Sequence, residues 1–321
     1  MDIAITGSIA YDYIMQFPGR FADQIVPDKI DHISLSFLVD KMTKHWGGVA
    51  ANIAYTLALL QQKPAPRLVG TVGRDFGDYR AWLEQVGVDT SAVRQIDDVF
   101  TASFFVNTDI DNNQIASFYA GAMAYARDFS LAELLSGRPD LVVISPNDPV
   151  AMERYVDECH ATGIPFMYDP SQQVARFNGE QLWHGIERAQ ILVCNEYEFD
   201  LIQQKTGKSA DQIINRVPVV IITLGEKGAR IFTDGNTIDV PVFPVETIAD
   251  PTGVGDAFRS GLLRGMAEGW DWLLCGQMGA LCAAYVLEQV GTQSHRFTLP
   301  EFIARFRTVF DDHGQLDTLL G

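Results

Sequence analysis

Short apolar runs rich in β-branched and aromatic residues recur along the chain, with helical segments between them. That alternation marks crossover units on a parallel sheet, because a parallel strand is buried on both faces and is joined to the next by a helix. It predicts strands at 2–6, 68–72, 141–145, 165–169, 191–194 and 219–223. Two more, 229–233 and 237–242, form a predicted hairpin across Asp234, Gly235 and Asn236. Helices are predicted at 48–61, 78–86, 149–161, 196–206, 255–268 and 272–288. The result is an α/β fold with a sheet covered on both faces.

Two regions break the rhythm. Residues 13–37 have little helical periodicity, and 101–119 read as two strands joined by the turn-forming run from Asp109 to Asn113. Ala102, Phe104 and Val106 share one strand face, and Ala116 and Phe118 share another, by the period-two rule. Open sheets bind ligands at the carboxyl ends of their strands, so a small sheet there would act as a lid. The apolar stretch at 34–39 would be an exposed edge unless paired, which suggests that two lids join in a homodimer.

Composition narrows the class. With 321 residues, 47% hydrophobic and 20% charged, the chain has material for one large core, so a single α/β domain over 1–321 with a lid is expected. A net charge of -17 repels a phosphate polymer and argues against DNA or RNA as partner. A small anion could still be held by backbone N–H groups. Cys159, Cys194, Cys275 and Cys282 form no C-x-x-C pair and no zinc spacing, which points to a reducing compartment. The start of the chain lacks a basic region ahead of a long apolar run, and no stretch approaches membrane-spanning length. A cytoplasmic protein without signal peptide or membrane partner is expected.

The most informative segment runs from Asp250 to Gly261. Gly253 and Gly255, flanking Val254, let the backbone turn tightly where the 255–268 helix starts. Free N–H groups of Gly253, Val254, Gly255 and Asp256 would converge on an anion there, helped by the helix dipole. A carboxylate beside an anion hole makes sense when Asp256 removes a proton from an attacking hydroxyl, which is the chief chemical need of phosphoryl transfer. Gly47 and Gly48 allow a substrate to lie against the backbone, and Asn52, one helical turn on, presents an amide to the same spot. Two other glycine patterns are decoys. Gly207-Lys208-Ser209 has Ile202 where a Walker A loop needs Gly, and Gly225-Glu226-Lys227-Gly228 lacks the first glycine of a dinucleotide fingerprint.

Asp250–Asp256 resembles the C-terminal D-T-x-G-A-G-D signature of the ribokinase (PfkB) carbohydrate-kinase family, and Gly47-Gly48-Val49-Ala50-Ala51-Asn52 resembles its N-terminal Gly-Gly signature. Pro251 and Val254 replace the common residues; Val254 leaves an anion hole of backbone N–H groups intact. The resemblance implies a ribokinase-like three-layer α/β/α sandwich with a mainly parallel sheet and a small β-sheet lid. It also implies ATP and Mg²⁺ and leaves a monovalent cation open. Along nearly the whole chain, other family positions match in order. Ser8 and Asp12 follow the first strand, where the family places the equivalent of Asp12 on ribose hydroxyls. Asn195 and Glu198 match N-x-x-E, which holds Mg²⁺ through water, and Thr223, Gly225 and Gly228 match the T-x-G-x-x-G nucleotide loop.

Within the family, segments such as Asp169-Pro170-Ser171-Gln172-Gln173 and Asp256-Ala257-Phe258-Arg259 are similar to bacterial adenosine kinases. By that resemblance Phe104, Phe118 and Met123 clamp a purine, and Gln172 and Gln173 meet its edge. Arg259, with Arg176 as second candidate, would touch a phosphate. The expected activity is ATP-dependent conversion of adenosine or a related purine nucleoside to its 5'-monophosphate. A sugar kinase of the ribokinase or fructokinase type and a catalytically inactive nucleoside sensor are the alternatives.

Overall fold

In the computed structural model, which describes residues 1–25 and 34–321, the strands follow in chain order as β1 (Ile3–Thr6), β2 (Ala10–Gln16), β3 (Lys41–Gly47), β4 (Arg67–Gly73), β5 (Val93–Ile96), β6 (Ala102–Thr108), β7 (Gln114–Tyr119), β8 (Leu141–Ile144), β9 (Phe166–Tyr168), β10 (Ile191–Asn195), β11 (Val219–Thr223), β12 (Ala229–Thr233) and β13 (Asn236–Val240). Nine form one sheet in the order β13-β12-β11-β10-β9-β8-β1-β4-β5, parallel from β11 to β5, with β12 and β13 added antiparallel. The remaining four make a small sheet, β3-β2-β6-β7. The predicted hairpin is there, turning through Asp234 and Gly235 at φ 49° and 72°, as a two-residue primed turn demands.

Side chains alternate between two cores. Ile3, Ile5, Leu141, Val143, Val219 and Ile221 face the helices Val49–Leu59, Gly77–Gln85 and Val254–Glu268. Ala4, Val142, Ile144, Val220 and Ile222 face Pro149–Thr162, Gly179–Ile186 and Glu196–Thr206. The strands are apolar throughout because each is buried on both sides.

The lid segments need correction. The small sheet takes β2 from residues 10–16 and β3 from 41–47, the latter outside the expected 13–37. Residues 34–39 form no strand, with Leu35 and Leu38 exposed, so the edge argument for a homodimer through them loses its footing; 26–33 of the same segment lie outside the described residues. The β3 sequence, Lys-Met-Thr-Lys-His-Trp-Gly, is too polar to announce a strand, yet it pairs with β2 along its length. The face assignment for the other hairpin also changes: Phe104 pairs with Phe118 and Val106 with Ala116, so these residues share one face.

His295 is buried with Nε2 3.1 Å from the Thr56 hydroxyl and no partner for Nδ1 among the described residues. Burial pushes its pKa down to about 4. Between the ordinary value near 6.5 and 4 the unfolded chain binds a proton that the folded chain refuses. Stability is therefore expected to fall by about 3 kcal/mol as pH drops through that window. Urea midpoints at pH 7 and pH 4.5 measure it, and His295→Asn should remove that share of the slope.

Candidate active site

The parallel strands β1, β8, β9, β10 and β11 send their carboxyl ends to one edge of the large sheet. Just beyond them stand Ser8, Asp169 and, at the last strand positions, Asn195 and Thr223. The small sheet hangs from the same edge, because β2 starts three residues after β1 ends. Gly48 makes the junction possible: its φ is 94°, and a Cβ there would lie 2.5 Å from the Ser8 carbonyl and 2.6 Å from the Ala10 nitrogen. The Ser8 hydroxyl accepts from the Val49 amide at 2.9 Å, so it caps the Val49–Leu59 helix and keeps its own proton to donate.

Asp256 lies in the first turn of the Val254–Glu268 helix, whose N-cap, Gly253, has a φ of 80° and no side chain to satisfy the exposed amides. A helix start leaves its first N–H groups unpaired, so those of Val254, Gly255 and Asp256 have no intrahelical partner. Around Asp256 the polar groups are tightly organised. Asn52 donates from Nδ2 to its Oδ2 at 2.9 Å. The Asn52 oxygen accepts from Gln293 Nε2 at 3.0 Å, and Gln293 is itself oriented by Trp82 Nε1 donating to its oxygen at 3.1 Å, which settles which way the Asn52 amide points; Thr292 Oγ1, 2.8 Å from the same oxygen, has its one proton within reach of the Trp46 carbonyl as well. Arg259 Nη1 is 3.7 Å from Asp256 Oδ1, while Nη2 donates to Asp169 Oδ1 at 2.7 Å.

Burial pushes the Asp256 carboxyl above the usual carboxylate range, with Arg259 and the Asn52 bond opposing. Burial also lifts Asp169, to about 7, against the pull of Arg259. For Arg259 burial works against the charge, and Asp169, Asp256 and Glu198 outweigh it, so its pKa rises. The expected phosphate contact of Arg259 is not what the structure displays: the residue is 6% exposed and already paired with carboxylates. Arg176 is exposed and makes no ion pair among the described residues.

On the small sheet, one row of paired positions reads His45, Asp12, Phe104, Phe118, so these side chains share a face. Asp12 is raised to about 6 by burial first and then by the charges of Asp250 and Asp256. A Cβ on Gly47 would run into the Asp12 carboxylate. Phe104 and Phe118 are 36% and 52% exposed, so they are not the core of their own sheet. Met123 is buried beside Ala10 and Ala102, which lie two positions from Asp12 and Phe104 and so share their face. Gln172 is exposed; Gln173 is buried and donates to the Asn147 carbonyl at 2.7 Å, leaving its oxygen unpartnered.

On the other flank, Asn195 and Glu198 form a capping box at the Glu196–Thr206 helix: Asn195 Oδ1 accepts from the Glu198 amide at 2.7 Å and Glu198 Oε2 from the Asn195 amide at 2.9 Å. One Glu198 oxygen stays outside that box. A Cβ added to Gly225 would meet nothing within 4 Å, so the loop after Thr223 is open, whereas a Cβ on Gly228 would strike the Val240 carbonyl and that glycine serves the β12–β13 packing. No group of three or more His, Cys, Asp or Glu side chains among the described residues could cage a metal. Magnesium needs no such cage, since one or two carboxylates with water and phosphate oxygens suffice, and the Glu198 oxygen outside the capping box fits that donor set.

Asp169, Thr292 and Gln293 are site residues whose roles the sequence does not announce. An acid straight after an apolar strand was the available signal for Asp169. Nothing local flags the other two, which reach Asn52 across 240 residues or more.

The profile described as pfkB family carbohydrate kinase matches residues 8–298. A nucleoside kinase of Methanothermobacter thermautotrophicus is 30% identical over 308 residues, 95% of each chain. The structure of Burkholderia thailandensis nucleoside kinase with inosine superposes at a TM-score of 0.84, with 39% identity, over 96% of this chain and 98% of that one. Its complex with ADP-inosine gives 0.83 and 40%, over 96% of each. Among the described residues no helix is long and apolar enough to cross a membrane.

Proposed function

Since the chain belongs to the pfkB family of carbohydrate kinases and shares its fold with nucleoside kinases, we propose that it transfers the γ-phosphoryl of ATP to the 5'-hydroxyl of a purine nucleoside, adenosine or inosine. The observation that carries this is the Asn52 link: Asn52, on the helix that follows the Gly47–Gly48 turn beside Asp12, donates to Asp256 at a helix start with unpaired amides, and the sheet face that holds Asp12 exposes Phe104 and Phe118. Asp12 accepts from the vicinal ribose hydroxyls, and the second N–H of the Asn52 amide points to the same sugar. The two phenyl rings offer flat apolar faces to the base, which a bare sugar would not need.

Asp256 takes the proton from the 5'-oxygen as that oxygen attacks phosphorus, and the β–γ bridging oxygen leaves with ADP. The amides of Val254, Gly255 and Asp256 hold the charge gathering on the phosphoryl oxygens. ATP lies from Asn195 to the open loop at Gly225. Glu198 would hold magnesium through water, and the ion would supply neutralising charge to the triphosphate.

ADP release measured with adenosine, inosine, ribose and fructose tests the reading. Turnover with the two nucleosides and about 100-fold lower kcat/KM with the sugars is the expected outcome. Preference for a free sugar would replace the substrate assignment, and nucleoside binding without ADP release would leave a sensor.

A further inference from the structure

The segment that leaves β9 at Asp169 carries Gln172 and Gln173 past the crevice, and little in its own secondary structure holds it. It is a short 3-10 turn, Ser171–Ala175, entered through a φ of 42° at Ser171. Such a turn ends with carbonyls that have no further helix to donate to them. Two of those carbonyls, with that of Phe177 just beyond the turn, converge on one ammonium: Lys205 Nζ donates to Val174 O at 2.7 Å, Ala175 O at 2.7 Å and Phe177 O at 2.8 Å. An ammonium has three protons, so every donor of Lys205 is committed to this backbone.

Lys205 stands in the last turn of the Glu196–Thr206 helix, the one that opens with Asn195 and Glu198. Its own main chain is packed in place, because a Cβ on Gly179 would collide with the Lys205 carbonyl. The rest of the segment is tied as well, at its start by Asp169 to Arg259 and in its middle by Gln173 to Asn147. At the exit the Lys205 bonds add to the buried Phe177 side chain and the Asn178 capping box, and they alone tie this backbone to the Glu196–Thr206 helix by charge among the described residues. Charge-assisted bonds to three carbonyls at one point are a strong restraint for a surface-level lysine, and stronger than solvation of a free ammonium requires.

We propose that Lys205 is a positioning residue for nucleoside recognition, fixing the backbone that presents the exposed Gln172 to the base, while Gln173 anchors the same turn through Asn147. The inference rests on the reading of Gln172 as a base-facing group. Lys205 touches no reacting atom; it lowers the ordering cost of the loop before substrate arrives.

The test compares the wild type with Lys205→Met and Lys205→Arg, measuring KM for adenosine and inosine, KM for ATP, kcat, and amide hydrogen exchange over residues 171–178. For Lys205→Met the nucleoside KM should rise about tenfold, with ATP KM and kcat within about twofold, and exchange at 174–178 should quicken. Lys205→Arg keeps the charge on a planar fork that cannot converge on three carbonyls, so a rise of about threefold is expected. If Lys205→Met does not fold, the ratio of the two KM changes in Lys205→Arg decides. An unchanged nucleoside KM, or equal rises in both KM values, overturns the assignment. A wild type that consumes no nucleoside defeats the substrate reading instead, and unchanged exchange in the variant then defeats the clamp itself.

Discussion

Asp256→Asn should lower kcat about 10³-fold while ATP binds as well as before or slightly better. The substitution is nearly isosteric. An amide oxygen at position 256 can still accept from Asn52, and the first-turn N–H groups proposed to hold phosphate are backbone, so neither depends on the carboxylate. What disappears is a group able to take a proton from the 5'-hydroxyl. Removing a negative charge from beside a triphosphate also relieves repulsion, which is why ATP affinity is not expected to suffer.

The pH dependence of the wild type follows the same logic. Burial raises Asp256, and Asp12 sits at about 6, so both lose their charge as pH falls at values where an exposed carboxyl would still be ionised. Activity should therefore drop on the acid side from about pH 6, with nucleoside KM rising as Asp12 protonates. Single-turnover rates and calorimetric ATP titrations of Asp256→Asn separate the two effects. Turnover within tenfold of wild type would remove Asp256 from the role of base.

The sheet was legible because β1, β8, β10 and β11 are buried on both faces and so consist of little but apolar residues. The small sheet was only half legible. Its strands face open crevice on one side, so β3 needs no apolar alternation and shows none, and its pairing with β2 becomes visible only in register. At the site, the Asp250–Asp256 motif announced a helix start with unpaired amides because a glycine turn leading into a helix is local. The environment of that helix was not, since Asp169 meets Arg259 across 90 residues and Gln293 meets Asn52 across 241. Asn195 and Glu198 illustrate a different limit: the spacing that marks a nucleotide motif is also the spacing of a capping box, and one pair of residues forms the box here.

Arg259→Met is the variant expected to cost most in stability, about 3–5 kcal/mol, because it strands buried carboxylates without their counter-charge. Asp169 is fully buried and its second oxygen has no partner among the described residues, so the guanidinium is its main compensation. Asp256 loses at the same time the strongest influence holding its pKa down. Its pKa then climbs further, a smaller fraction is ionised at neutral pH, and the acid limb of activity should move upward as kcat falls. Equilibrium urea unfolding and a pH–rate profile read the two consequences independently. The double variant Asp169→Leu, Arg259→Met distinguishes them: replacing both members of a buried pair by apolar groups should restore part of the lost stability, since no stranded charge remains at 169. It should not restore activity, because Asp256 still faces burial without the guanidinium 3.7 Å away. A single variant within about 1 kcal/mol of wild type, with an unmoved acid limb, would mean that Arg259 is a bystander to the carboxylates it touches.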